Sequence, residues 1–382
     1  MTKRVDNKSL HTICILAGEP SGDYYAAYLI ERLKKQGSAA HVVGMGSTLA
    51  KQAGMTLWHD CQDLGVIGFS QVLANLLTFT RLYKRLTQQI EATRPSLIVL
   101  VDYAGLNLKI ACFAKQLGIP CLYYIPPKVW AWQEYRLKYL RAYCEELAVL
   151  YPFEAEYFQQ KSLPATLIHH PFLDTITPQK KRPPKPFRIA ILPGSRSKEI
   201  ATHLPIQLAA CKALQKSCVS PVHVSVFVAT PAHQDRISLL CDTWRGDLPL
   251  DLVMPENKYD ALRQCHSACC VSGTITVELA LIGLPHIIIY KTSWLNYLLG
   301  KTLLRIRWIG LTNLIMQESV VPELIQAACN SDAIAHALAE SLQETSAQRT
   351  RAHLQKVSDA LSHPDKTVRI EALVQKLLAQ HT

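Results

Sequence analysis

Several apolar runs of this sequence end in glycine, serine and acidic residues, which are side chains able to bind a polar ligand. In the first of these segments, GEPSGD, residues 18–23 follow the apolar run 13–17 and precede a helical pattern. Glycines allow a ligand to approach the backbone closely, and the following helix offers free N–H groups to an anion. Glu19 and Asp23 can accept hydrogen bonds from sugar hydroxyls, unless Ser21 or Asp23 simply caps the helix. The candidate binding residues of this segment are Gly18, Glu19, Ser21, Gly22 and Asp23.

The most apolar run of the chain, SLIVLV at 96–101, ends in an aspartate. A carboxylate at the edge of a sheet is partly desolvated, which raises its pKa and suits it to accept a proton as a general base. The alternative is that Asp102 caps a helix beginning near Gly105. Because ligands of parallel sheets bind where the strands end, we take Asp102 as the candidate catalytic residue.

Two segments in the second half of the chain have the composition of a nucleotide site. In LPGSRSKE, Arg196 can bind a phosphate through its bidentate guanidinium group, and the preceding glycine lets the backbone come close. In SGTITVE, amides at the start of a helix suit a diphosphate, and Glu278 could hold ribose hydroxyls. A capping box is excluded because Glu278 lies four residues after Thr274 rather than three. The candidates are Gly194, Ser195, Arg196, Glu199, Ser272, Gly273, Thr274 and Glu278.

The elements that would position these segments alternate between strands and helices. Strand candidates lie at 13–17, 41–44, 96–101, 121–125, 146–150, 166–168, 187–192, 222–229, 250–254, 268–272 and 286–290. Helical patterns lie between them and fill the segment from about residue 320 to about residue 380. This alternation is typical of βαβ units, so the sequence predicts an α/β fold with parallel sheets covered by helices.

Length and one proline-rich segment divide the chain into domains. At 382 residues the chain is longer than one typical domain. The segment TPQKKRPPKPF has four prolines and four basic residues, so it cannot pack a core and is interpreted as a linker. We predict one domain at 1–176, a second at 187–330, and C-terminal helices at 331–382 that pack back towards the first domain.

Composition favours a globular protein with an anionic partner. Hydrophobic residues form 49% of the chain, and the formal net charge is +11. The charge is compatible with nucleic acid, a phosphorylated substrate or an anionic membrane face, but we identify no nucleic-acid-binding module. The 12 cysteines include no CxxC spacing, so we expect reduced core residues and no metal site. A polar N-terminus and the lack of an apolar run of about 20 residues favour a cytosolic protein.

Two segments that are apolar and basic, without acidic residues, have the pattern of interfacial helices. In 64–90, an apolar face precedes Arg81, Lys84 and Arg85. Such a helix would place the apolar face in lipid and the charges at anionic headgroups; the alternative is a helix packed on the sheet. The segment 290–311 has the same character, or it crosses back between domains. The candidate membrane-contact residues are Phe69, Val72, Leu73, Leu76 and Leu77.

Six motif-like segments occur in the order AGEPSGD, VDYAGLNLKIA, YYIPPKVWAW, LPGSRSKEI, SGTITVELA and LTNLI. Together they resemble the motifs of the lipid-A-disaccharide synthase family. The resemblance implies an inverting glycosyltransferase of the GT-B type, in which two Rossmann-like domains face each other across a cleft. It also implies the reaction of UDP-2,3-diacylglucosamine with 2,3-diacylglucosamine 1-phosphate, which gives the β-1,6-linked lipid A disaccharide 1-phosphate and UDP in lipopolysaccharide synthesis of Gram-negative bacteria.

The resemblance also assigns roles to residues. Asp102 would be the base that takes the proton from the acceptor 6-hydroxyl, Arg196 would contact the UDP diphosphate and Glu278 the ribose. Asn313, in LTNLI, would lie near the nucleotide. Family members act without a metal or other cofactor. They work at the cytoplasmic face of the inner membrane, with which they associate peripherally, and a homodimer is a candidate assembly.

Three alternatives stay open at this level. The chain could be another UDP-sugar enzyme of the same architecture, either an N-acetylglucosaminyltransferase with a lipid acceptor or a UDP-sugar 2-epimerase, although these families do not share GEPSGD together with VWAW. Nucleic-acid binding is suggested only by the net charge. A paralogue that binds UDP or lipid without turnover is disfavoured because Asp102, Arg196 and Glu278 are all present.

Overall fold

The computed structural model describes residues 11–61, 72–218, 220–294, 297–298, 306–363 and 366–381, with the backbone alone at 20 and 72–77. Within these ranges the chain forms two compact units. The first comprises the described residues up to Pro171 and those from His363 onward, and the second comprises Phe172–Ser362. Each unit is built around a parallel sheet.

The first unit has a seven-stranded sheet with the strand order β3-β2-β1-β4-β5-β6-β7. Its elements are β1 (Thr12–Ala17), α1 (Pro20–Lys35), β2 (His41–Gly46), α2 (Thr48–Ala53), β3 (Thr56–Asp60), α3 (Val72–Thr93), β4 (Leu97–Val101), α4 (Ala104–Gln116), β5 (Cys121–Tyr124), α5 (Leu137–Tyr143), β6 (Glu146–Val149), α6 (Pro152–Gln160) and β7 (Ala165–Leu167). Its strands are apolar and pair in parallel, so each connection crosses over the sheet through a helix or loop.

The second unit has a six-stranded sheet with the strand order β10-β9-β8-β11-β12-β13. Its elements are α7 (Phe172–Thr175), β8 (Phe187–Leu192), α8 (Ser197–Ser217), β9 (Val222–Phe227), α9 (Gln234–Asp242), β10 (Leu250–Val253), α10 (Lys258–Arg263), β11 (Ser267–Val271), α11 (Ile275–Ile282), β12 (His286–Tyr290), α12 (Leu311–Met316), β13 (Glu323–Ile325), α13 (Ser331–Leu342) and α14 (Glu344–Ser362). A last helix, α15 (Ile370–Gln380), belongs to the first unit.

The central strands are buried on both faces, as their continuous apolar runs predict. Every residue of β4 is fully buried, and so is every residue of β1 from Ile13 to Ala17. Parallel pairing places Ala17 beside Val101, so the GEPSGD loop and Asp102 lie at the same edge of the first sheet. In the second sheet, the pairing of β8 with β11 brings the LPGSRSKE and SGTITVE loops together in the same way.

The prediction of an α/β fold with parallel sheets is confirmed, and each predicted strand is present. Two strands were missed, β3 and β13, and both are edge strands with partly buried residues. The segment containing β13 was predicted to be helical, which is wrong for Glu323–Ile325. A strand of three residues is too short to show a periodic pattern, so the prediction for β13 followed the helical pattern of the residues after it.

The C-terminal helices divide between the two units. α13 packs on α8 of the second unit, whereas α15 packs on α1 of the first. Arg32 of α1 lies 2.7 Å from the fully buried Glu371 carboxylate of α15. In the proline-rich segment, the Gln179 side chain donates hydrogen bonds to the carbonyl oxygens of Arg263 and Cys265 in the second unit. Among the helices that the structure describes, none combines the length and apolar character needed to cross a bilayer.

Candidate active site

The connection between β4 and α4 is short and strained. β4 ends at Val101 and α4 begins at Ala104, so two residues make the turn. Both Asp102 and Tyr103 have left-handed backbone conformations, with φ of 48° and 44°. A non-glycine residue in this conformation costs about 1–2 kcal/mol. Backbone strain of this kind clusters at functional sites. Here the strained residues are the candidate base itself and the residue that follows it.

The Asp102 carboxylate has the environment of a base. Burial raises its pKa, and this effect exceeds the opposing effects of the Lys128 charge and of a hydrogen bond from the Tyr103 backbone. A carboxylate with a raised pKa accepts a proton more readily, as general-base catalysis requires. The N-cap position of α4 is occupied by Tyr103, without a side-chain hydrogen bond to the helix. The alternative, that Asp102 caps this helix, is therefore not what the structure shows.

The GEPSGD loop lies beside this turn. Gly18 packs against the ring of Tyr103, and a β-carbon at position 18 would lie 2.3 Å from that ring. The requirement for glycine here is therefore steric. Glu19 is partly buried and Ser21 is exposed, while Gly22 is buried at the start of α1. Glu19 and Ser21 stay candidates for contact with a sugar.

The Asp23 side chain makes different contacts from those that the sequence pattern suggests. The residue is 4% exposed, and its carboxylate accepts hydrogen bonds from the backbone N–H groups of Ser47, Leu49 and Ala50 at 2.6, 3.0 and 3.2 Å. It therefore caps α2, which follows the neighbouring strand β2, rather than α1. Because both oxygens are engaged in this way, we assign Asp23 to the framework of the loop in place of sugar binding.

The second unit contains a cavity of about 270 Å³ at the carboxyl ends of β8, β9 and β11. Among the candidates it is lined by Gly194, Ser195, Glu199, Ser272, Gly273, Thr274 and Glu278. Ligands of parallel sheets bind at this edge. A larger cavity, about 420 Å³, opens at the opposite edge, where β12 begins at His286. Its described lining contains none of the candidate residues, so the smaller cavity is the candidate binding site.

The Glu199 carboxylate binds the loop that precedes α8 through hydrogen bonds. Its Oε2 accepts hydrogen bonds from the backbone N–H groups of Ser195 and Arg196 at 3.1 and 3.3 Å, and its Oε1 lies 3.2 Å from Nη1 of Arg196. Gly194 has φ of 108°, and a β-carbon there would lie 2.6 Å from the Glu199 carboxylate. Glu199 was itself a candidate binding residue, and in the structure its carboxylate engages these two backbone N–H groups. The Arg196 side chain, which is 74% exposed, stays the candidate phosphate ligand of this loop.

Glu278 is almost fully buried at the cavity, with its side chain 8% exposed. Its Oε2 lies 2.5 Å from Nζ of Lys258 and accepts a hydrogen bond from the Tyr259 hydroxyl at 2.8 Å. Lys258 also lines the cavity. Sequence reasoning missed both partners because MPENKY contains no glycine to mark a binding loop. The signal that could have found them is their position at the start of the helix that follows the predicted strand 250–254.

Comparison with known proteins identifies the family. The sequence model of the family described as lipid-A-disaccharide synthetase matches residues 13–377. A lipid-A-disaccharide synthase of Syntrophus aciditrophicus is 35% identical over 338 residues, which cover 85% of this chain and 86% of that protein. One of Geobacter sulfurreducens is 32% identical over 381 residues, covering 97% and 98%. The chain belongs to the lipid-A-disaccharide synthetase family.

Solved structures agree with this assignment at the level of fold. MurG of Acinetobacter baumannii has a TM-score of 0.61 at 14% identity, and the match covers 96% of this chain and 99% of MurG. The UDP-GlcNAc 2-epimerase of Neisseria meningitidis bound to UDP-GlcNAc has a TM-score of 0.63 at 11% identity, covering 96% and 100%. At such low identity the likeness shows the fold alone. This member of the lipid-A-disaccharide synthetase family is therefore a glycosyltransferase with the GT-B fold.

Asn313 is fully buried and lies outside the described lining of the cavity. Its Nδ2 donates to the carbonyl oxygen of Val321 at 2.9 Å and to the Glu323 carboxylate at 2.8 Å. Glu323 accepts a hydrogen bond from the backbone N–H of Ile309, whose carbonyl oxygen accepts one from the Ser272 hydroxyl. Hydrogen bonds through Glu323 and Ile309 therefore connect the buried Asn313 to Ser272 of the cavity lining.

The predicted membrane-contact residues fall largely beyond the described side chains. Phe69 lies outside the described residues. The other predicted residues, for which the structure describes only the helical backbone of α3, are Val72, Leu73, Leu76 and Leu77. Further along α3, Leu82 and Leu86 are buried in the core of the first unit. In the second basic segment, Trp294 is 71% exposed and Leu298 is 47% exposed.

Proposed function

We propose that the chain transfers the sugar of UDP-2,3-diacylglucosamine to the 6-hydroxyl of 2,3-diacylglucosamine 1-phosphate. The products are the β-1,6-linked disaccharide 1-phosphate and UDP. Membership of the lipid-A-disaccharide synthetase family supports this reaction. The observation that carries the proposal is the Asp102 carboxylate, whose pKa burial raises and which follows β4 in a strained turn.

In this mechanism Asp102 is the general base. The acceptor oxygen attacks the anomeric carbon from the face opposite to UDP, and its proton passes to the Asp102 carboxylate. The bond between the anomeric carbon and the diphosphate breaks with its electron pair on the departing oxygen, so the configuration inverts. Burial brings the pKa of the carboxylate towards the working pH, where a base is most effective. Glu19 and Ser21 of the adjacent loop would contact sugar hydroxyls.

UDP occupies the cavity of the second unit. Glu278, fixed by Lys258, accepts hydrogen bonds from the ribose hydroxyls. The diphosphate is bound by amides at the start of α11 and by the exposed Arg196 guanidinium. A β-carbon at Gly273 would meet no described atom within 4 Å, so the space above this residue can accommodate the ligand. The other cavity residues that we assign to the nucleotide are Gly194, Ser195, Ser272 and Thr274.

Both substrates carry acyl chains, so the enzyme must act at a lipid surface. We assign peripheral contact with the cytoplasmic side of the inner membrane to the residues that the sequence pattern predicts for it, Phe69, Val72, Leu73, Leu76 and Leu77. The net charge of +11 supports attraction to anionic headgroups. Vesicle sedimentation tests this assignment: replacing Leu73 and Leu76 by serine should weaken binding to anionic vesicles. A large fall in melting temperature with no loss of vesicle binding would place these leucines in the core instead.

Product analysis tests the reaction directly. Purified protein supplied with both substrates in detergent micelles should release UDP and a disaccharide 1-phosphate. Asp102→Ala should abolish turnover and leave the UDP affinity unchanged in calorimetry. Asp242→Ala, which removes a surface aspartate, is the control and should keep wild-type turnover. Turnover that persists in Asp102→Ala would move the base elsewhere, and wild-type protein without product or UDP binding would contradict the proposed function.

A further inference from the structure

The turn that carries Asp102 is held by two side chains that sequence analysis did not single out. Asn107 lies in α4 and Tyr123 in β5, and both are fully buried. The Tyr123 hydroxyl donates a hydrogen bond to the carbonyl oxygen of Asp102 at 2.7 Å, and Nδ2 of Asn107 donates to the same oxygen at 2.8 Å. One carbonyl oxygen therefore receives hydrogen bonds from two different elements.

Asn107 also ties the turn to the sheet. Its Nδ2 lies 3.2 Å from the carbonyl oxygen of Val101 in β4 and 3.3 Å from that of Leu16 in β1. The amide thus bridges the ends of two neighbouring strands as well as the turn between β4 and α4. Its Oδ1 has no hydrogen-bond partner among the described residues. The described contacts of the Asn107 side chain are therefore made by its Nδ2 amide group as a hydrogen-bond donor.

The turn depends on such support because its backbone conformation is unfavourable. Asp102 and Tyr103 are adjacent non-glycine residues in the left-handed region, which sterics disfavour. The ring of Tyr103 is constrained by its contact with Gly18. If the Asp102 carbonyl oxygen lost its two hydrogen bonds, the peptide between Asp102 and Tyr103 would be free to rotate to a sterically favoured backbone conformation. That rotation would change the direction in which the Asp102 side chain leaves the strand.

We propose that Asn107 and Tyr123 are positioning residues for the transfer reaction, because they hold the Asp102 carbonyl oxygen and so fix the direction of its carboxylate. This inference rests on the proposed function, in which Asp102 is the base. Neither side chain is exposed to a ligand; each acts through Asp102. Loss of either donor should lower kcat without changing the binding of UDP in the second unit.

Tyr123→Phe tests the inference because it removes one hydroxyl at nearly constant volume. Tyr124→Phe is the matched control: Tyr124 is the next residue of β5, is fully buried, and has a hydroxyl without a partner in the described part of the chain. We expect Tyr123→Phe to lower kcat about tenfold, equivalent to about 1.4 kcal/mol. The KM values should stay within about twofold. Tyr124→Phe should retain the wild-type kcat.

A pH profile separates positioning from a general loss of stability. Burial raises the pKa of Asp102, Lys128 lowers it, and Tyr123 is the titratable group beside it on β5. A released turn would expose the carboxylate to water, so the acid limb of kcat should move to lower pH in Tyr123→Phe and in Asn107→Ala. A merely structural effect would lower the melting temperature and leave this limb in place.

The outcomes distinguish the inference from the function on which it rests. An unchanged kcat and an unmoved acid limb in folded Tyr123→Phe would overturn the positioning role, even where Asp102→Ala is inactive. Turnover that survives Asp102→Ala would overturn the base assignment instead. Should Asn107→Ala fail to fold, the comparison of Tyr123→Phe with Tyr124→Phe decides the question alone.

Discussion

Single carboxylates in this protein differ in what surrounds them, and these differences set their roles. Glu278 has a cation and a phenol as partners and borders the nucleotide cavity. Glu154 is buried in the first unit and accepts a hydrogen bond from Nε1 of Trp130 at 3.1 Å. Lys258 and Tyr259 hold the Glu278 carboxylate at the cavity, whereas burial raises the pKa of Glu154 and favours its protonated form.

Glu278→Gln tests the ribose contact. Hydrogen bonds to a charged group contribute about 1.5–3 kcal/mol, so the Kd for UDP should rise by about ten- to hundredfold. Isothermal titration calorimetry measures this change, with the exposed Glu340→Gln as a control of similar chemistry. A Kd for UDP that is unchanged in Glu278→Gln would remove the residue from the nucleotide site.

Glu154 predicts a pH dependence of stability. Burial raises its pKa from 4.5 to about 7 in the folded protein, against the effects of Trp130 and Lys128. The folded-state pKa is higher than the unfolded-state pKa, so folding favours the protonated Glu154 side chain. The contribution of Glu154 to stability is therefore fully present below the unfolded-state pKa and is lost as the pH rises through about 7. Glu154→Gln should therefore be more stable than the wild type at about pH 8, by up to about 3 kcal/mol. Urea unfolding at about pH 8 and about pH 4.5 checks this, and a difference independent of pH would contradict it.

At the scale of loops and strands, two glycines of the proposed nucleotide site serve different purposes. Gly194 has a positive φ and packs against Glu199, whereas Gly273 has no described atom within 4 Å of the place of a β-carbon. The first glycine is required by the protein itself. The second borders open space in the cavity, so its small size matters to the ligand.

Alanine at these two positions should separate folding from binding. Gly194→Ala should cost about 1–3 kcal/mol of stability, because the left-handed backbone and the contact with Glu199 both oppose a β-carbon. Gly273→Ala should leave the melting temperature unchanged and weaken UDP binding. Thermal unfolding and calorimetry on both variants check this contrast, and a destabilised Gly273→Ala with intact UDP affinity would contradict it.

The sequence predicted those parts of the fold and site whose signals are local. Buried strands such as β4 show continuous apolar runs, and strand-end loops show their glycines, so both could be found without a structure. Asp23 could not be assigned correctly because its partners lie 24 to 27 residues away. Asn313 and Lys258 also act through contacts that only the folded chain creates. The edge strands β3 and β13 were missed because half-buried, short segments carry little pattern.

At the scale of the whole molecule, the last helix completes the first unit. The Glu371 carboxylate of α15 is fully buried, and Arg32 of α1 is its ion-pair partner. A buried carboxylate without its cation is strongly destabilising, because the charge loses water and gains nothing in exchange. The helix α15 is therefore part of the framework that supports α1, the helix that begins in the GEPSGD segment.

Arg32→Ala should lower the stability of the first unit by about 3 kcal/mol. UDP binding should be unchanged, because the described lining of the proposed nucleotide cavity belongs to the second unit. Denaturant unfolding and UDP calorimetry on the same variant check both parts. Lys115→Ala, which breaks an exposed ion pair with Glu145, is the control and should change stability by less than about 1 kcal/mol. Equal effects of the two variants would contradict this role of α15.

The central claim is that Asp102 takes the proton of the acceptor hydroxyl, and the pH dependence of kcat tests it most directly. Between about pH 4 and about pH 9, kcat should fall on the acid side with an apparent pKa above the ordinary aspartate value of 3.8, because burial raises the pKa of Asp102. The same limb should persist in Glu154→Gln, because burial raises the pKa of the Glu154 carboxyl to about 7 and its titration could otherwise account for the limb. A kcat without an acid limb, or a limb that disappears in Glu154→Gln, would contradict the assignment of Asp102 as the base.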